Sequence, residues 1–162
     1  MSDLTTLDAR LRALEDLEQI RSLKYRYWRS IDARDLDAVE ACFASGALEI
    51  DYELFGSYER REDMVDAIRN AGLGAEVQDF HHGQNPEIRL TGQDSAVGLW
   101  DIYYFMLDPA SGITLQLSGA YEDEYIRQGD EWKVRKSRFV VTSRLCGQVG
   151  EDGQYQLATL GR

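Results

Sequence analysis

The sequence has few of the residues that build metal centres, disulfide scaffolds and nucleic-acid surfaces. Among 162 residues there are two histidines, two prolines and two cysteines, and acidic residues outnumber basic residues by 29 to 18. The formal net charge of −11 argues against nucleic acid and anionic membranes as partners, because both bind positive patches. Cys42 and Cys146 lie far apart without metal-ligand spacing, so we expect two unpaired thiols and a reducing, cytoplasmic location.

Long apolar runs are absent as well. No stretch of about 18 apolar residues occurs, so no membrane span is predicted. The chain starts Met-Ser-Asp-Leu and passes directly into an acidic helical pattern, so no secretory signal is predicted. The length suits one domain, and a hydrophobic fraction of 43% is enough for a packed core. We expect a single domain over residues 1–145, followed by a loosely held tail over residues 146–162.

The first part of the chain has a helical pattern. Apolar side chains recur every three or four positions, without Gly or Pro, up to Asp32. A short break at 33–35 follows, in which Asp35 can cap a second helix. Residues 47–53 alternate as a strand, and Gly72 lies near the end of a third helix. The predicted helices cover residues 5–32, 37–43 and 61–71.

After Asp79 the pattern changes to long strands. The predicted strands cover residues 80–90, 96–107, 113–127 and 131–145. Helices followed by a meander of antiparallel strands are typical of an α+β domain. We expect a curved antiparallel sheet wrapped around the N-terminal helices, which together form a cone with one pocket. The second strand is apolar on both faces, so one face would line the pocket and the other would pack against another surface, such as a second subunit.

His81 and His82 are neighbours in the first long strand, and neighbours in a strand point to opposite faces. Simple alternation places His82 on the same face as Phe80 and Ile88, which favours His82 as the inward histidine. Pro86 can sit at a bulge and reset the alternation, so parity leaves the choice open. Ligands on opposite faces cannot share an ion, and the sequence has no second cluster of His or Cys. No metal site is therefore predicted.

Asp32 lies at the predicted end of the first helix, close to Tyr27 and Trp28. The four-residue spacing puts Trp28 on the face of Asp32, whereas Tyr27 lies about 140° around the helix. Tyr27 and Asp32 can therefore approach one substrate only from different sides. The helix dipole disfavours an acid near a helix C-terminus. A helix cap, a solvated end and a catalytic acid all remain open for Asp32.

An acid and a histidine that meet in an apolar pocket would support a specific chemistry. A carboxylate bonded to one ring nitrogen fixes the histidine tautomer and raises the basicity of the other nitrogen. The histidine can then remove a proton from a carbon beside an activating group, while a tyrosine hydroxyl polarises a carbonyl or donates to a leaving oxygen. We therefore predict that Asp32 pairs with one of the two histidines, and that the reaction needs no cofactor.

Four sequence features together resemble the SnoaL-like branch of the nuclear-transport-factor-2-like superfamily, whose members have a cystatin-like cone fold. The features lie within residues 7–145 and keep their order and spacing. They are Tyr-x-x-x-x-Asp at 27–32, His-His-Gly-Gln-Asn at 81–85, Gly-Ala-Tyr-x-x-Glu-Tyr at 119–125 and Gly-Asp-x-Trp-Lys-Val at 129–134. Within the superfamily the chain is most similar to the group that holds hexachlorocyclohexane dehydrochlorinase, scytalone dehydratase and bile-acid 7α-dehydratase.

The resemblance implies roles for three residues. Enzymes of that group use an Asp–His dyad to abstract a proton in elimination reactions. By this resemblance Asp32 is the orienting acid, His81 is the base, and Tyr27 contacts a substrate oxygen or leaving group. The resemblance selects His81 because this histidine directly precedes the His-Gly-x-Asn sequence. This choice differs from simple alternation, which favours His82.

The chain also departs from the pattern of that group. An arginine of the dehydrochlorinase falls on Ser137, with Arg138 one step away on the opposite face. The second acid of the bile-acid enzyme has no secure match. Asp101 lies near the expected position, and Tyr104 can take the place of the acid. The residues expected to line the pocket, each of which is individually more often ordinary core, are Trp28, Ile102, Tyr104, Leu117, Phe139 and Val141.

The leading prediction is a cofactor-independent, dehydratase-like lyase or isomerase that acts on a hydrophobic, cyclic small molecule. One alternative is a non-catalytic domain of the same fold that binds a small ligand or another subunit. Another is a hydrolase similar to limonene-epoxide hydrolase, which would need an Asp–Arg–Asp arrangement around a water. We further expect a homodimer or homotrimer that associates through the sheet, with neither nucleic acid nor membrane as a partner.

Overall fold

The computed structural model describes residues 2–71 and 76–161, with side chains from residue 6 onward. Within these ranges there are three helices and seven strands. The helices are α1 (Ser2–Asp32), α2 (Leu36–Ala41) and α3 (Arg61–Asn70). The strands are β1 (Glu49–Asp51), β2 (Ser57–Tyr58), β3 (Gln78–Leu90), β4 (Ser95–Asp108), β5 (Ile113–Gln128), β6 (Glu131–Val149) and β7 (Tyr155–Gly161).

The helices lie close to their predicted positions. α1 ends at Asp32, as the sequence predicts. Asp35 caps α2, because its side chain accepts a hydrogen bond from the N–H group of Ala38 at 3.1 Å. α3 ends at Asn70, and the expected helix end near Gly72 lies outside the described residues. The cap on α2 fixes the direction in which the chain leaves α1.

The strands form one sheet in the order β2–β1–β6–β5–β4–β3, with β7 paired to β6. The four long strands β3 to β6 form the predicted antiparallel meander. β1 instead runs parallel to β6, so the sheet is mixed rather than wholly antiparallel. No hairpin joins β1 to β6, so the connectivity does not impose an antiparallel pairing. The strand expected over 47–53 is reduced to β1, because the chain turns at Tyr52 to Gly56 and returns as β2.

The sheet curves around α1 without closing, and this arrangement is the α+β cone that the sequence predicts. Leu23 and Trp28 of α1 are buried against it, and the Trp28 ring lies edge-on to Trp100 at 5.5 Å between centroids. The N-terminal part of α1 extends beyond this core, since Leu11 and Leu14 of its apolar stripe are exposed. Among the described residues, no helix has both the length and the apolar character needed to cross a membrane.

The prediction of a loosely held tail from Cys146 onward is wrong. β6 continues to Val149, the chain turns through a hydrogen bond from the Gly150 N–H group to the Gln154 carbonyl, and β7 pairs antiparallel with β6. Every side chain of β7 except Thr159 is exposed, so the strand has no alternating buried face that would reveal it in the sequence. The expected domain boundary at residue 145 lies within β6.

A bulge in β3 decides which histidine faces inward. The pairing with β4 shifts between Gln84 and Glu87, where three steps on β3 match two steps on β4. Asn85 adopts a φ of 51° at this point and Pro86 follows it. The extra residue reverses the alternation, so residues before the bulge point opposite to what counting back from Ile88 predicts. Simple alternation therefore fails.

Candidate active site

His81 of β3 is in direct contact with Asp32 at the end of α1. His81 Nδ1 lies 2.5 Å from Oδ1 of Asp32, the last residue of α1. The His81 backbone N–H group donates to Oδ2 of the same carboxylate at 3.1 Å. The side chains are only 14% and 26% exposed for His81 and Asp32, respectively. His82 points to the outer face of the sheet and is exposed.

The contact between Nδ1 and Asp32 indicates the tautomer of a neutral His81 ring. An ionised carboxylate only accepts hydrogen bonds, so Nδ1 is the nitrogen that carries the proton. The basic lone pair is then on Nε2, which makes no hydrogen bond with any of the described residues. His81 is one of the residues that line the cavity described below. A histidine held in this way can act as a general base.

A cavity of about 320 Å³ lies between the sheet, α1 and α3. Most of its wall is aliphatic or aromatic, which suits a small hydrophobic molecule. The side chains with polar groups in this lining are His81, five tyrosines, one acid and two arginines. Its lining consists of Tyr27, Ile31, Arg34, Leu36, Tyr52, Phe55, Tyr58, Met64, Ile68, Arg69, Ala71, Asp79, His81, Ile102, Tyr104, Leu117, Tyr121 and Phe139.

The residues expected in the pocket divide into two groups. Those that line the cavity are Tyr27, His81, Ile102, Tyr104, Leu117 and Phe139. Asp32 lies behind His81 and outside the lining. Trp28 and Val141, which the sequence places in the pocket wall, are buried elsewhere in the core. The Val141 N–H group donates to Glu53 at 2.8 Å, so the turn between β1 and β2 lies over that part of β6.

Helical geometry explains why Tyr27 lines the cavity and Trp28 does not. Trp28 and Asp32 share one face of α1, as their spacing predicts, and this face is turned toward β3. There Asp32 meets His81 and Trp28 packs over Gly83. Tyr27 lies on a different side of the helix and reaches the cavity from there.

Tyr27 and Tyr52 form a polar pair in the cavity wall. The Tyr27 hydroxyl donates to the Tyr52 hydroxyl at 3.1 Å. Burial, and after it the neighbouring Tyr52 phenol, raises the pKa of Tyr27 well above its ordinary value. Burial also raises the pKa of Tyr52. Both phenols are therefore neutral near pH 7. The Tyr27 proton lies in the bond to Tyr52, so Tyr27 can donate to a ligand oxygen when that oxygen replaces the Tyr52 hydroxyl as the acceptor.

Arg34, Asp79 and Tyr104 form a second polar group, which was not predicted from the sequence. Asp79 is buried and accepts from the Tyr104 hydroxyl at 2.5 Å and from Arg34 Nη2 at 2.9 Å. Burial, and after it the hydrogen bond to Asp79, raises the pKa of Tyr104. The Tyr104 ring also packs against the His81 ring, with centroids 4.6 Å apart. Asp79 lies two residues before His81, so local alternation could have revealed it, whereas Arg34 carries no sequence signal.

Of the positions where the chain departs from the resembling enzymes, Tyr104 lines the cavity, whereas Ser137, Arg138 and Asp101 lie away from it. Ser137 is buried and donates to the Asp123 carboxylate at 2.6 Å. Arg138 is on the exposed side of β6. Asp101 is exposed and accepts from the Asn85 side chain at 2.8 Å. Within the described residues, no group of three or more His, Cys, Asp or Glu side chains is arranged to hold a metal ion.

A curved mixed sheet around a long helix, with a hydrophobic cavity that the dyad borders, defines the class of cystatin-like α+β cones. The family model of the SnoaL-like domain matches residues 12–138, which is most of the chain. The chain belongs to the SnoaL-like domain family.

Solved structures with this fold include several proteins at low sequence identity. A type 3 hexachlorocyclohexane dehydrochlorinase from Novosphingobium barchaimii is 18% identical, with a TM-score of 0.72 over 93% of this chain and 94% of that chain. A candidate scytalone dehydratase from Novosphingobium aromaticivorans is 16% identical, with a TM-score of 0.71 over 89% and 90% of the two chains. A nuclear-transport-factor-2-like protein with a cystatin-like fold, also from Novosphingobium aromaticivorans, is 23% identical, with a TM-score of 0.73 over 87% and 91%. At these identities the likeness establishes the shared fold.

Proposed function

We propose that this protein is a cofactor-independent lyase or isomerase that abstracts a proton from a hydrophobic, cyclic small molecule. The observation that carries the proposal is the contact between Asp32 and His81 at the edge of an apolar cavity. In this proposal Asp32 orients the imidazole, Nε2 of His81 takes the proton, and the Tyr27 hydroxyl contacts a substrate oxygen or the leaving group. Membership of the SnoaL-like family and the dehydratase and dehydrochlorinase of the same fold support such a role.

In the proposed elimination a C–H bond beside an activating group breaks and its proton moves to Nε2 of His81. The electron pair of that bond forms a carbon–carbon double bond as the leaving group departs with its own electron pair. A leaving oxygen takes a proton from the Tyr27 hydroxyl, whereas a halide needs none. In an isomerisation His81 returns the proton to a different carbon.

The charges around the cavity favour an uncharged substrate. Arg34 is paired with Asp79, and Arg69 is paired with Asp66. Asp32 directs its carboxylate to His81 rather than into the cavity. Two proteins of similar fold are named as enzymes that act on hexachlorocyclohexane and scytalone. Both compounds are uncharged rings, so they are the first candidates to try.

Two other functions are compatible with the fold. A binding or subunit-interaction domain would not require an oriented base, and a cavity filled by its own side chains would have favoured it. An epoxide-hydrolase-like enzyme would place two carboxylates on one arginine. Among the described residues, Asp79 is the one acid paired with Arg34, and Asp32 is engaged by His81.

The proposal includes the setting in which the protein works. We place it in the cytoplasm, as a homodimer or homotrimer that associates through the outer face of the sheet. Phe80, Leu99 and Tyr103 lie exposed on that face, and their burial against a second copy would remove apolar surface from water.

The proton abstraction can be measured without knowing the leaving group. We suggest 2-tetralone in D₂O, because this neutral bicyclic ketone has acidic C–H bonds beside its carbonyl. The wild-type protein should exchange deuterium into 2-tetralone faster than buffer does, as followed by mass spectrometry. His81→Ala should lower the catalysed rate by about a hundredfold or more, since a positioned base contributes roughly that factor. Asp32→Asn should lower it at least about tenfold, through loss of the orienting carboxylate.

The adjacent histidine provides the matched control. His82→Ala removes the same side chain from the outer face of β3 and should leave the exchange rate unchanged. The melting temperature of all three variants should stay close to that of the wild type. Equal rates in His81→Ala and wild-type protein would sink the proposal, and a large loss of stability in His81→Ala would mark this residue as structural. Chloride release from hexachlorocyclohexane and water loss from scytalone extend the test to the two candidate substrates.

A further inference from the structure

Arg34 reaches the cavity from an unusual backbone position. The N–H group of Arg34 donates to the Ile31 carbonyl and that of Asp35 donates to the Ser30 carbonyl, each at 2.9 Å. These two bonds define a Schellman motif at the end of α1, in which the residue at the Arg34 position is left-handed and is usually glycine. Arg34 has a φ of 57° and carries a long side chain. Arg34 is one of the residues that line the cavity.

The guanidinium group of Arg34 is only partly engaged by the protein. Nη2 donates to the Val77 carbonyl at 3.1 Å and to Asp79 at 2.9 Å. Nε and Nη1 make no hydrogen bond with any of the described residues, and the side chain is 33% exposed. An arginine has five N–H donors, so several of those of Arg34 have no acceptor among the described residues.

Asp79 limits what Arg34 can bind. Its carboxylate offsets the positive charge of the guanidinium group, and Tyr104 holds the second oxygen of the same carboxylate. A ligand carboxylate near Arg34 would also lie near the negative charge of Asp79. A neutral oxygen can accept the free N–H groups without this repulsion.

The position of Arg34 relative to the base is fixed by the strands. Asp79 and His81 lie on the same face of β3, two residues apart. The hydroxyl of Tyr104 donates to Asp79, and the ring of Tyr104 packs against the His81 ring. A ligand oxygen on Arg34 would therefore lie beside the imidazole. Ser137 is buried away from the cavity, so Arg34 supplies a guanidinium group that β6 does not.

We infer that Arg34 is a specificity-determining residue that donates hydrogen bonds to a neutral carbonyl or hydroxyl oxygen of the ligand, with Asp79 and Tyr104 holding it in position. The oxygen bound there is the group that activates the C–H bond for His81. This placement rests on the proposed function, whereas the binding of the oxygen does not require turnover.

The test is a comparison of two ligands that differ in one oxygen. Calorimetric titration with 2-tetralone and with tetralin gives the ratio of their affinities, which cancels the shared hydrophobic contribution. The wild-type protein should prefer 2-tetralone, and Arg34→Met should lower the ratio about tenfold, because hydrogen bonds to a charged donor are lost. Arg138→Met, which removes an exposed arginine on β6, should leave the ratio unchanged.

A second pair of measurements tests the role of Asp79. Asp79→Asn removes the charge that offsets Arg34, so the affinity for 2-naphthoate relative to 2-tetralone should rise about tenfold. Arg34→Met in the same protein should abolish this rise. Circular dichroism and the melting temperature establish that each variant is folded, and Arg34→Met alone still decides the matter if Asp79→Asn fails to fold.

The outcomes for Arg34 and for the proposed function are separable. An unchanged affinity ratio in Arg34→Met, or no binding of 2-tetralone by the wild-type protein, would overturn the inference about Arg34. A lowered ratio in a protein that never exchanges deuterium would support the oxygen site and remove the proposed catalytic function. Deuterium exchange that depends on His81, together with an affinity ratio that is the same in Arg34→Met and wild type, would support the catalytic function and overturn the inference about Arg34.

Discussion

Arg34 occupies a backbone conformation that costs an L-residue free energy. A side chain in the left-handed region crowds the following carbonyl oxygen, at a cost of roughly 1–2 kcal/mol, and glycine avoids this cost. The ion pair with Asp79 and the bond to the Val77 carbonyl hold the side chain in this place. The chain thus keeps an arginine where a glycine would suit the backbone, which is consistent with a role for its side chain in the cavity.

Two replacements of Arg34 isolate the backbone cost. Both Arg34→Gly and Arg34→Ala lose the ion pair with Asp79, so the difference between them reports the native backbone conformation together with the greater freedom of glycine in the unfolded chain. Arg34→Gly should be more stable than Arg34→Ala by about 1 kcal/mol, because only alanine retains a Cβ in the left-handed region. Urea unfolding followed by circular dichroism measures this difference. Equal stabilities would show that the conformation at residue 34 relaxes without cost.

The contact between α1 and β3 places the dyad, and it depends on a glycine. A Cβ built on Gly83 would lie 1.8 Å from the Trp28 ring, which is far inside contact distance. Trp28 therefore packs directly on the backbone of β3, one turn of helix before Asp32. The same close approach brings the end of α1 to His81.

Gly83→Ala should separate α1 from β3. The added methyl group cannot be accommodated without moving the indole, and overpacking of this kind typically costs about 1–3 kcal/mol. We expect this loss in urea unfolding, together with a lower rate of deuterium exchange, because Asp32 moves with the helix. Trp28→Leu combined with Gly83→Ala should recover part of the stability that Gly83→Ala loses. Additive effects of the two substitutions would contradict direct contact between these residues.

Over the whole molecule, buried phenols make the fold sensitive to high pH. Burial raises the pKa of five tyrosines, and the neighbouring Asp79 or Asp123 carboxylates add to the effect. They are Tyr27, Tyr52, Tyr104, Tyr121 and Tyr125. Asp123 lies at the centre of the polar core, where it pairs with the buried Lys24 at 2.7 Å.

The free energy of unfolding should fall as the pH rises above about 10, the ordinary pKa of tyrosine. In that range the unfolded chain loses phenol protons that the folded chain keeps, so the stability present at lower pH is lost. Each such phenol contributes a slope of about 1.4 kcal/mol per pH unit. Lys24 acts in the opposite sense, because burial lowers its pKa although the Asp123 carboxylate raises it. Lys24 is a single group, whereas there are five buried phenols.

Urea unfolding at a series of alkaline pH values measures this slope. Tyrosinate absorbance from the buried phenols should appear together with the loss of secondary structure rather than before it. Tyr121→Phe removes one of the five phenols. The decrease in the free energy of unfolding with pH should therefore be less steep by the slope that one phenol contributes. Stability that stays flat from pH 9 to pH 12 would contradict the prediction.

The helical part of the fold was predictable because its signals are local. The apolar period of α1 stops at Asp32, and Asp35 supplies a cap, so both helix boundaries follow from neighbouring residues. The long strands were predictable for the same reason, since polar turns separate apolar runs. β7 was missed because it is an exposed edge strand whose residues carry no buried face.

The site was predictable only in part. The resemblance to a family pointed to Asp32 and His81, and helical spacing correctly put Trp28 on the face of Asp32. That face turned out to meet β3 instead of the cavity, so Trp28 is core and Tyr27 lines the pocket. Asp79 lies two residues before His81 on the same face of β3, so alternation from His81 could have revealed it, whereas its contact with Arg34 depends on the fold.

By itself the sequence determined the order and type of the main elements, the end of α1 and the absence of strong positive charge, because these depend on residues close together in the chain. Tertiary structure alone decided that His81 rather than His82 faces inward, that Arg34 joins Asp79 and Tyr104, and that Trp28 leaves the pocket. Each of these depends on strand register or on contacts between distant segments, and one extra residue at a bulge reverses the direction of every side chain before it.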